Sequence, residues 1–146
     1  MRRRHLLVTG LALMTGSILM AAPGLRAETT AFKMRDLYEK DLSFSKLAQE
    51  FDGKAIEIQG FMAPPLKAES QFFVLTKKPM SVCPFCETEA DWPDDIVVVY
   101  TEDVVDVVPF NLPIAVHGKL SLGTYRDEEI GFVSRVRLID ASYARL

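Results

Sequence analysis

The stretch Lys54-Ala55-Ile56-Glu57-Ile58-Gln59-Gly60-Phe61-Met62, followed by Ala63-Pro64-Pro65, decides the fold class. Ile56, Ile58 and Gly60 fall on one side of an extended chain and Glu57 and Gln59 on the other. That period of two is the pattern of a half-buried strand. Pro64 and Pro65 end it, because proline donates no backbone hydrogen bond to a ladder.

Working outward, Gln71 to Thr76 is a second strand, nearly all apolar and therefore expected to be covered on both faces. Ile96 to Tyr100 reads as a third strand, Ile114 to Gly123 as a fourth and Gly131 to Ile139 as a fifth, with Arg135 and Arg137 alternating outward. Glu102 to Val108 is either a short extra strand or an apolar loop, bounded by Pro109 and Pro113. Upstream, Ser43 to Asp52 has the features of a helix. Ser43 stands as N-cap, Phe44, Leu47, Ala48 and Phe51 recur at helical spacing, and Gly53 ends it. So short a helix persists only when packed, so Phe44, Leu47 and Phe51 are expected to face the core. Glu28 to Asp41 reads as an N-terminal arm.

Gly60, Gly118 and Gly123 sit where bulges or barrel corners are expected. The fold expected is mainly β: a small five-stranded β-barrel of the oligonucleotide/oligosaccharide-binding (OB) kind with one N-terminal helix. The helix usual between the third and fourth strands of that architecture is missing or reduced to Glu102–Val108, and an open sandwich is the alternative.

The chain of 146 residues allows one domain, residues 28–146, behind a targeting segment. Arg2, Arg3 and Arg4 precede an uncharged apolar run from Leu6 to Ala22, too short and too interrupted to be read as a membrane span. Pro23 and Gly24 break that run, and Leu25-Arg26-Ala27 fits a cleavage site. Residues 1–27 are therefore read as a signal peptide, which implies a periplasmic protein with no stable membrane anchor after cleavage. Arg3-Arg4-His5-Leu6-Leu7 resembles the twin-arginine export pattern. Four arginines and no acid lie in residues 1–27 of a chain with 17 basic and 20 acidic side chains. Residues 28–146 thus hold 13 basic against 20 acidic groups, a net −7. Such a charge makes the domain a poor candidate for nucleic acid or anionic lipid, since both need a positive footprint, and neither is expected as a partner.

The stretch from Asp52 to Pro64 also resembles the opening of a family of small exported bacterial proteins of unknown function. Their shared pattern is a GK-x-V-x-I-x-G-F-M-x-P strand, a following apolar strand and a cysteine-containing loop. The likeness runs from Asp52 to Leu138. It implies an OB-like barrel, an exported compartment and, in some members, association with an envelope transporter of the ATP-binding-cassette (ABC) type. It implies no chemistry.

The chemistry rests on Cys83-Pro84-Phe85-Cys86, which holds both cysteines of the chain. Two cysteines separated by two residues can ligate one metal ion, form a redox-active disulfide or form a plain structural bridge. For a metal, zinc is the expected ion. Cys83 and Cys86 supply half a site, and His117 and Asp91 are the leading further ligands among Glu87, Glu89, Asp94 and Asp95. His117 is the one histidine outside the targeting segment. A thiol-disulfide oxidoreductase is the second reading. The acids after Cys86 oppose it by raising a thiol pKa, and Pro93 cuts short the helix that such sites use. A disulfide clasp, contributing about 2 kcal/mol for so small a ring, is the third. Trp92, beside Pro93 and Asp94, is a candidate anchor for a partner.

No nucleophile elbow, phosphate loop or zinc-protease helix motif is present, so no catalytic residue is assigned. The functional expectation is a small exported binding module, more in keeping with metal handling or transport than with catalysis. An oxidoreductase and a non-catalytic interaction module remain alternatives.

Overall fold

The computed structural model describes residues 28–65, 67–81, 92–129 and 131–146. The targeting segment expected at residues 1–27 lies outside the described residues. Six strands form one sheet: β1 (Thr30–Phe32), β2 (Ala55–Met62), β3 (Phe72–Thr76), β4 (Ile96–Tyr100), β5 (Pro113–Arg126) and β6 (Val133–Arg145). A 3-10 turn at Met34–Leu37 and a short helix, α1 (Lys46–Phe51), precede β2. Among the described residues no helix is long and apolar enough to cross a membrane.

The sheet order is β1-β2-β3-β4-β6-β5, and β5 returns to pair with β2. The pairings therefore run in a cycle through β2, β3, β4, β6 and β5. All are antiparallel except β4 with β6. β2 meets β3 only at Phe61 and Met62, while β5 lies along β2 from Ala55 to Phe61. β1 fills the vacant edge, pairing in parallel with Ile56 to Ile58. This sixth strand is too short to leave a period in the sequence.

The alternation read in Lys54–Met62 holds. Ile56, Ile58 and Met62 join Phe73, Leu75, Val97, Val99, Val116, Leu120, Val136 and Leu138 in one core. Each fully buried aliphatic side chain of this kind contributes about 1.5–3 kcal/mol. β3 is buried along its whole length, as its apolar run implied. Its second face packs in a smaller cluster of Ala63, Val74 and Ile96 under Trp92 and Phe132.

Gly60 lies at the β2–β3 junction. A Cβ there would come within 2.6 Å of the Thr76 carbonyl oxygen, so the crossing of these strands depends on glycine.

The helix is shorter than expected and begins later. Ser45, not Ser43, caps it, its Oγ accepting from the Ala48 amide at 3.0 Å. Ser43 is taken by Asp41, whose Oδ1 accepts from both its amide and its hydroxyl. The shift of frame turns Leu47 to solvent and buries Ala48, while Phe44 and Phe51 pack against the core as expected. The Glu102–Val108 segment is a loop. It nevertheless plugs one end of the sheet, for Val105 and Val108 join the core and the Val108 amide lies 3.4 Å from the Met62 sulfur. β6 runs on to Arg145, beyond the Ile139 limit of the apolar pattern, because β5 continues beside it.

Candidate functional site

The cysteine loop leaves the sheet between β3 and β4, and its roots are tied. The Lys77 amide donates to the Asp95 carbonyl at 2.9 Å, continuing the hairpin past Thr76 and Ile96. The Thr76 hydroxyl is buried and lies 2.7 Å from the Lys78 carbonyl and 3.2 Å from that of Phe61. On the segment that leads back into β4, the Trp92 indole donates to the Tyr38 hydroxyl at 2.8 Å. Cys83, Cys86 and Asp91 lie in residues 82–91, outside the described residues.

Trp92 does not project as a free anchor. It is half-buried and packs against both hydrophobic clusters. Burial holds the Tyr38 hydroxyl above its ordinary pKa, partly offset by the Trp92 hydrogen bond and the nearby Arg135 charge. The N-terminal arm and the loop's return are thereby fastened to each other.

His117 stands on β5 opposite Glu57 of β2, with its Nε2 3.1 Å from Glu57 Oε2. Both neighbours of His117 in the strand serve the interior: Val116 is in the core, and Gly118 packs against Leu138 and Ala141. His117 therefore faces outward, with its side chain about half exposed. Glu57 is four residues from Phe61, the partner of Thr76, which is about 13 Å along β2 from the loop root. Among the described residues no three His, Cys, Asp or Glu side chains converge as a metal site. The carboxylate that His117 meets, Glu57, was not among the ligands suggested by the sequence. Only the strand register reveals it.

A groove of about 460 Å³ joins these two places. It runs from Glu57 and Gln59 on β2 to Lys77 at the loop root, beneath Lys33, Met34 and Arg35 of the arm. Asp36 stabilises that wall by accepting the Lys33 amide at 3.0 Å. Its lining mixes the apolar Ala31, Phe32 and Met34 with the charged Lys33, Arg35, Asp36, Glu57 and Lys77.

A second polar cluster was not foreseen. Arg137, read as an outward residue, does point away from the main core but is buried. Its Nη1 donates to the Gly123 carbonyl at 2.8 Å and lies 3.1 Å from the Ser134 hydroxyl, while Nη2 meets the Ser121 hydroxyl at 3.0 Å. The guanidinium also lies over the Tyr125 ring, 5.1 Å from its centre. Burial lowers the Arg137 pKa, and the neighbouring Tyr100, Tyr125 and Asp52 oppose that shift. Gly123 adopts a φ of +104° at the irregular stretch of β5 between Leu122 and Tyr125, turning its carbonyl toward Arg137. No pattern in the sequence announced it, since Ser121 comes opposite Arg137 only through the β5–β6 register. These interactions clamp the irregular stretch of β5 between Leu122 and Tyr125.

No family model matches this chain, and no curated protein matches it. The fold is similar to the crystal structure of a DUF3299 family protein from Pseudomonas aeruginosa PAO1, with a TM-score of 0.53. The two are 16% identical, over 81% of this chain and 96% of the other. The likeness is one of fold.

Proposed function

We propose that this chain is a small exported binding module, a five-stranded OB-like barrel whose working part is the Cys83/Cys86 loop and the groove at its root. The barrel reading is supported by the cyclic order of pairings and by the parallel β4–β6 pair within an otherwise antiparallel ring. β1 is then an added strand on the outside of the ring.

The observation that carries the functional reading is the groove between Glu57 and Lys77, which opens beside the tied roots of a loop holding both cysteines. A rigid frame with anchored roots positions a ligand loop at small entropic cost. Cys83 and Cys86 supply thiolates for zinc, and Asp91 and His117 are the candidate completing ligands. Residues 1–27 act as the signal peptide, by a twin-arginine or a general route, and the mature module serves a metal-handling or envelope ABC transport system in the periplasm.

Metal analysis of the exported chain, purified without oxygen, tests the reading. About one zinc per chain is expected in the wild type and none in a C83S/C86S variant. An unloaded wild type overturns it, and its thiol state then separates the alternatives. A quantitative Cys83–Cys86 disulfide with no insulin reduction indicates a clasp. Turnover with a Cys83 thiol pKa well below 8.5 indicates an oxidoreductase.

A further inference from the structure

We propose that β6 and the loop from Thr101 to Leu112 form a docking face for an extended, cationic and apolar segment of a partner protein, which adds as a strand to the free edge of β6. The face is distinct from the cysteine loop, since the two loops leave opposite ends of β4.

The register exposes the edge. β6 pairs with β5 as far as Arg145, but with β4 only at Arg137 and Leu138. Beyond Tyr100 the chain turns away into the loop, so β6 from Ile139 onward has no strand on that side among the described residues. A groove of about 460 Å³ occupies the gap, with Val104 and Thr101 on one wall and Ala141, Ser142 and Tyr143 on the other. Asp140 has a φ of +50°, which interrupts the edge there and leaves Ala141 to Arg145 as the regular part. Those five residues span about 17 Å, enough for a short strand. Small side chains at Ala141, Ser142 and Ala144 keep the approach open.

The opposite wall is preformed. The Val105 amide donates to the Ser70 carbonyl at 2.8 Å, and Gln71 Nε2 donates to the Glu102 carbonyl at 2.6 Å. The Tyr143 hydroxyl accepts from the Asp106 amide at 2.8 Å and donates to its carbonyl at 2.9 Å. These ties point Val105 and Val108 inward and leave Val104 and Val107 outside, 54% and 51% exposed. Phe110 and Leu112 extend the exposed apolar surface. Apolar side chains held in water on a loop already tied in place can meet a partner at small ordering cost.

Charge selects the occupant. Glu102, Asp103 and Asp140 rim the groove, and of these Asp140 has a basic neighbour, Lys119 at 3.8 Å. The rim disfavours an anionic membrane and disfavours a second copy, which would bring the same acids face to face. It favours lysine or arginine alternating with apolar residues, in the strand-addition mode of peptide recognition.

The test titrates the full exported chain with a fluorescent peptide of alternating lysine and valine and maps the contact by amide chemical shifts. Shifts are expected at Thr101–Leu112 and Ala141–Arg145. E102Q/D103N is expected to weaken binding about tenfold, equivalent to 1.4 kcal/mol. Methylation of alternate peptide amides should abolish binding, because it blocks the edge hydrogen bonds. An E128Q/E129Q variant, which removes as much charge outside the groove lining, should leave affinity unchanged. Equal binding of a glutamate–valine peptide overturns the proposal, as does indifference to amide methylation. Binding of anionic vesicles at this face, or a dimer dissolved by V104S/V107S, assigns the surface to another occupant and also overturns it.

Discussion

The Trp92 indole nitrogen and the Tyr38 hydroxyl meet at 2.8 Å across 54 positions of sequence. The bond joins an arm that precedes every ring strand to the segment leading the chain back into β4. Tyr38 also stacks beside Phe44 at 5.8 Å, and Arg135 of β6 lies over the same Phe44 ring at 5.0 Å. Arm, helix entry, loop return and β6 therefore share one contact.

Trp92→Phe and Tyr38→Phe are each expected to cost about 1–2 kcal/mol, the range for a part-buried hydrogen bond whose partner is left behind. Urea unfolding of both single variants and the double variant measures the coupling. A coupling of at least about 0.5 kcal/mol is expected for groups in direct contact. Additive losses would mean that the two residues stabilise the chain independently.

Gly60→Ala is expected to destabilise by about 1–3 kcal/mol, the usual range for overpacking. The atom in the way is the Thr76 carbonyl oxygen, which cannot rotate aside like a side-chain tip. Its displacement would disturb the two-pair β2–β3 seam. Amide exchange at Thr76 and Met62 should quicken before exchange at the β5–β6 ladder. Uniform quickening would place the strain elsewhere.

The ring strands were legible because their signals are strong. Ile56 and Ile58 alternate with Glu57 and Gln59, and Phe72 to Leu75 is apolar throughout because both faces of β3 are covered. The rest failed for definable reasons. Three residues, Thr30 to Phe32, cannot display a period, so β1 was invisible. Ser43 and Ser45 are equally good caps as letters; Asp41, which binds Ser43, decided between them. Arg137 obeyed the alternation of β6, but no pattern along one strand reports that Gly123, Ser121 and Tyr125 on the next will enclose it. For the candidate site, the sequence suggested Cys83, Cys86, Asp91 and His117, of which His117 lies among the described residues. The register supplied Glu57, and the groove supplied Lys77.

Arg137→Met is expected to cost about 2–4 kcal/mol. It keeps most of the aliphatic stem but leaves the Gly123 carbonyl and the Ser121 hydroxyl without their charged donor. Arg137→Lys should recover only part of this, because a single ammonium cannot serve both acceptors with the fork of a guanidinium. Thermal unfolding orders the three proteins. A lysine variant as stable as wild type would show that charge alone, without the planar fork, holds the bulge.

Stability at alkaline pH should depend on Tyr100. Its hydroxyl lies 3.1 Å from Asp127 Oδ2, and burial together with the adjacent carboxylate holds its pKa well above the ordinary value near 10. Between the ordinary and the raised value, the folded chain keeps a proton that the unfolded chain has lost. Stability therefore falls as pH climbs. The contribution is complete below pH about 10 and is lost as pH rises through the folded value. Burial raises Tyr38 and Tyr143 in the same direction, so some alkaline loss persists in any single variant. Tyr100→Phe retains the ring packed against Phe72 and removes the titrating proton. Urea midpoints for wild type and Tyr100→Phe should stay a constant interval apart from pH 7 to about 9.5, then converge above pH about 10 as the wild type loses its Tyr100 contribution. Parallel curves into the alkaline range would show that the Tyr100–Asp127 contact does not raise the proton affinity of the folded chain.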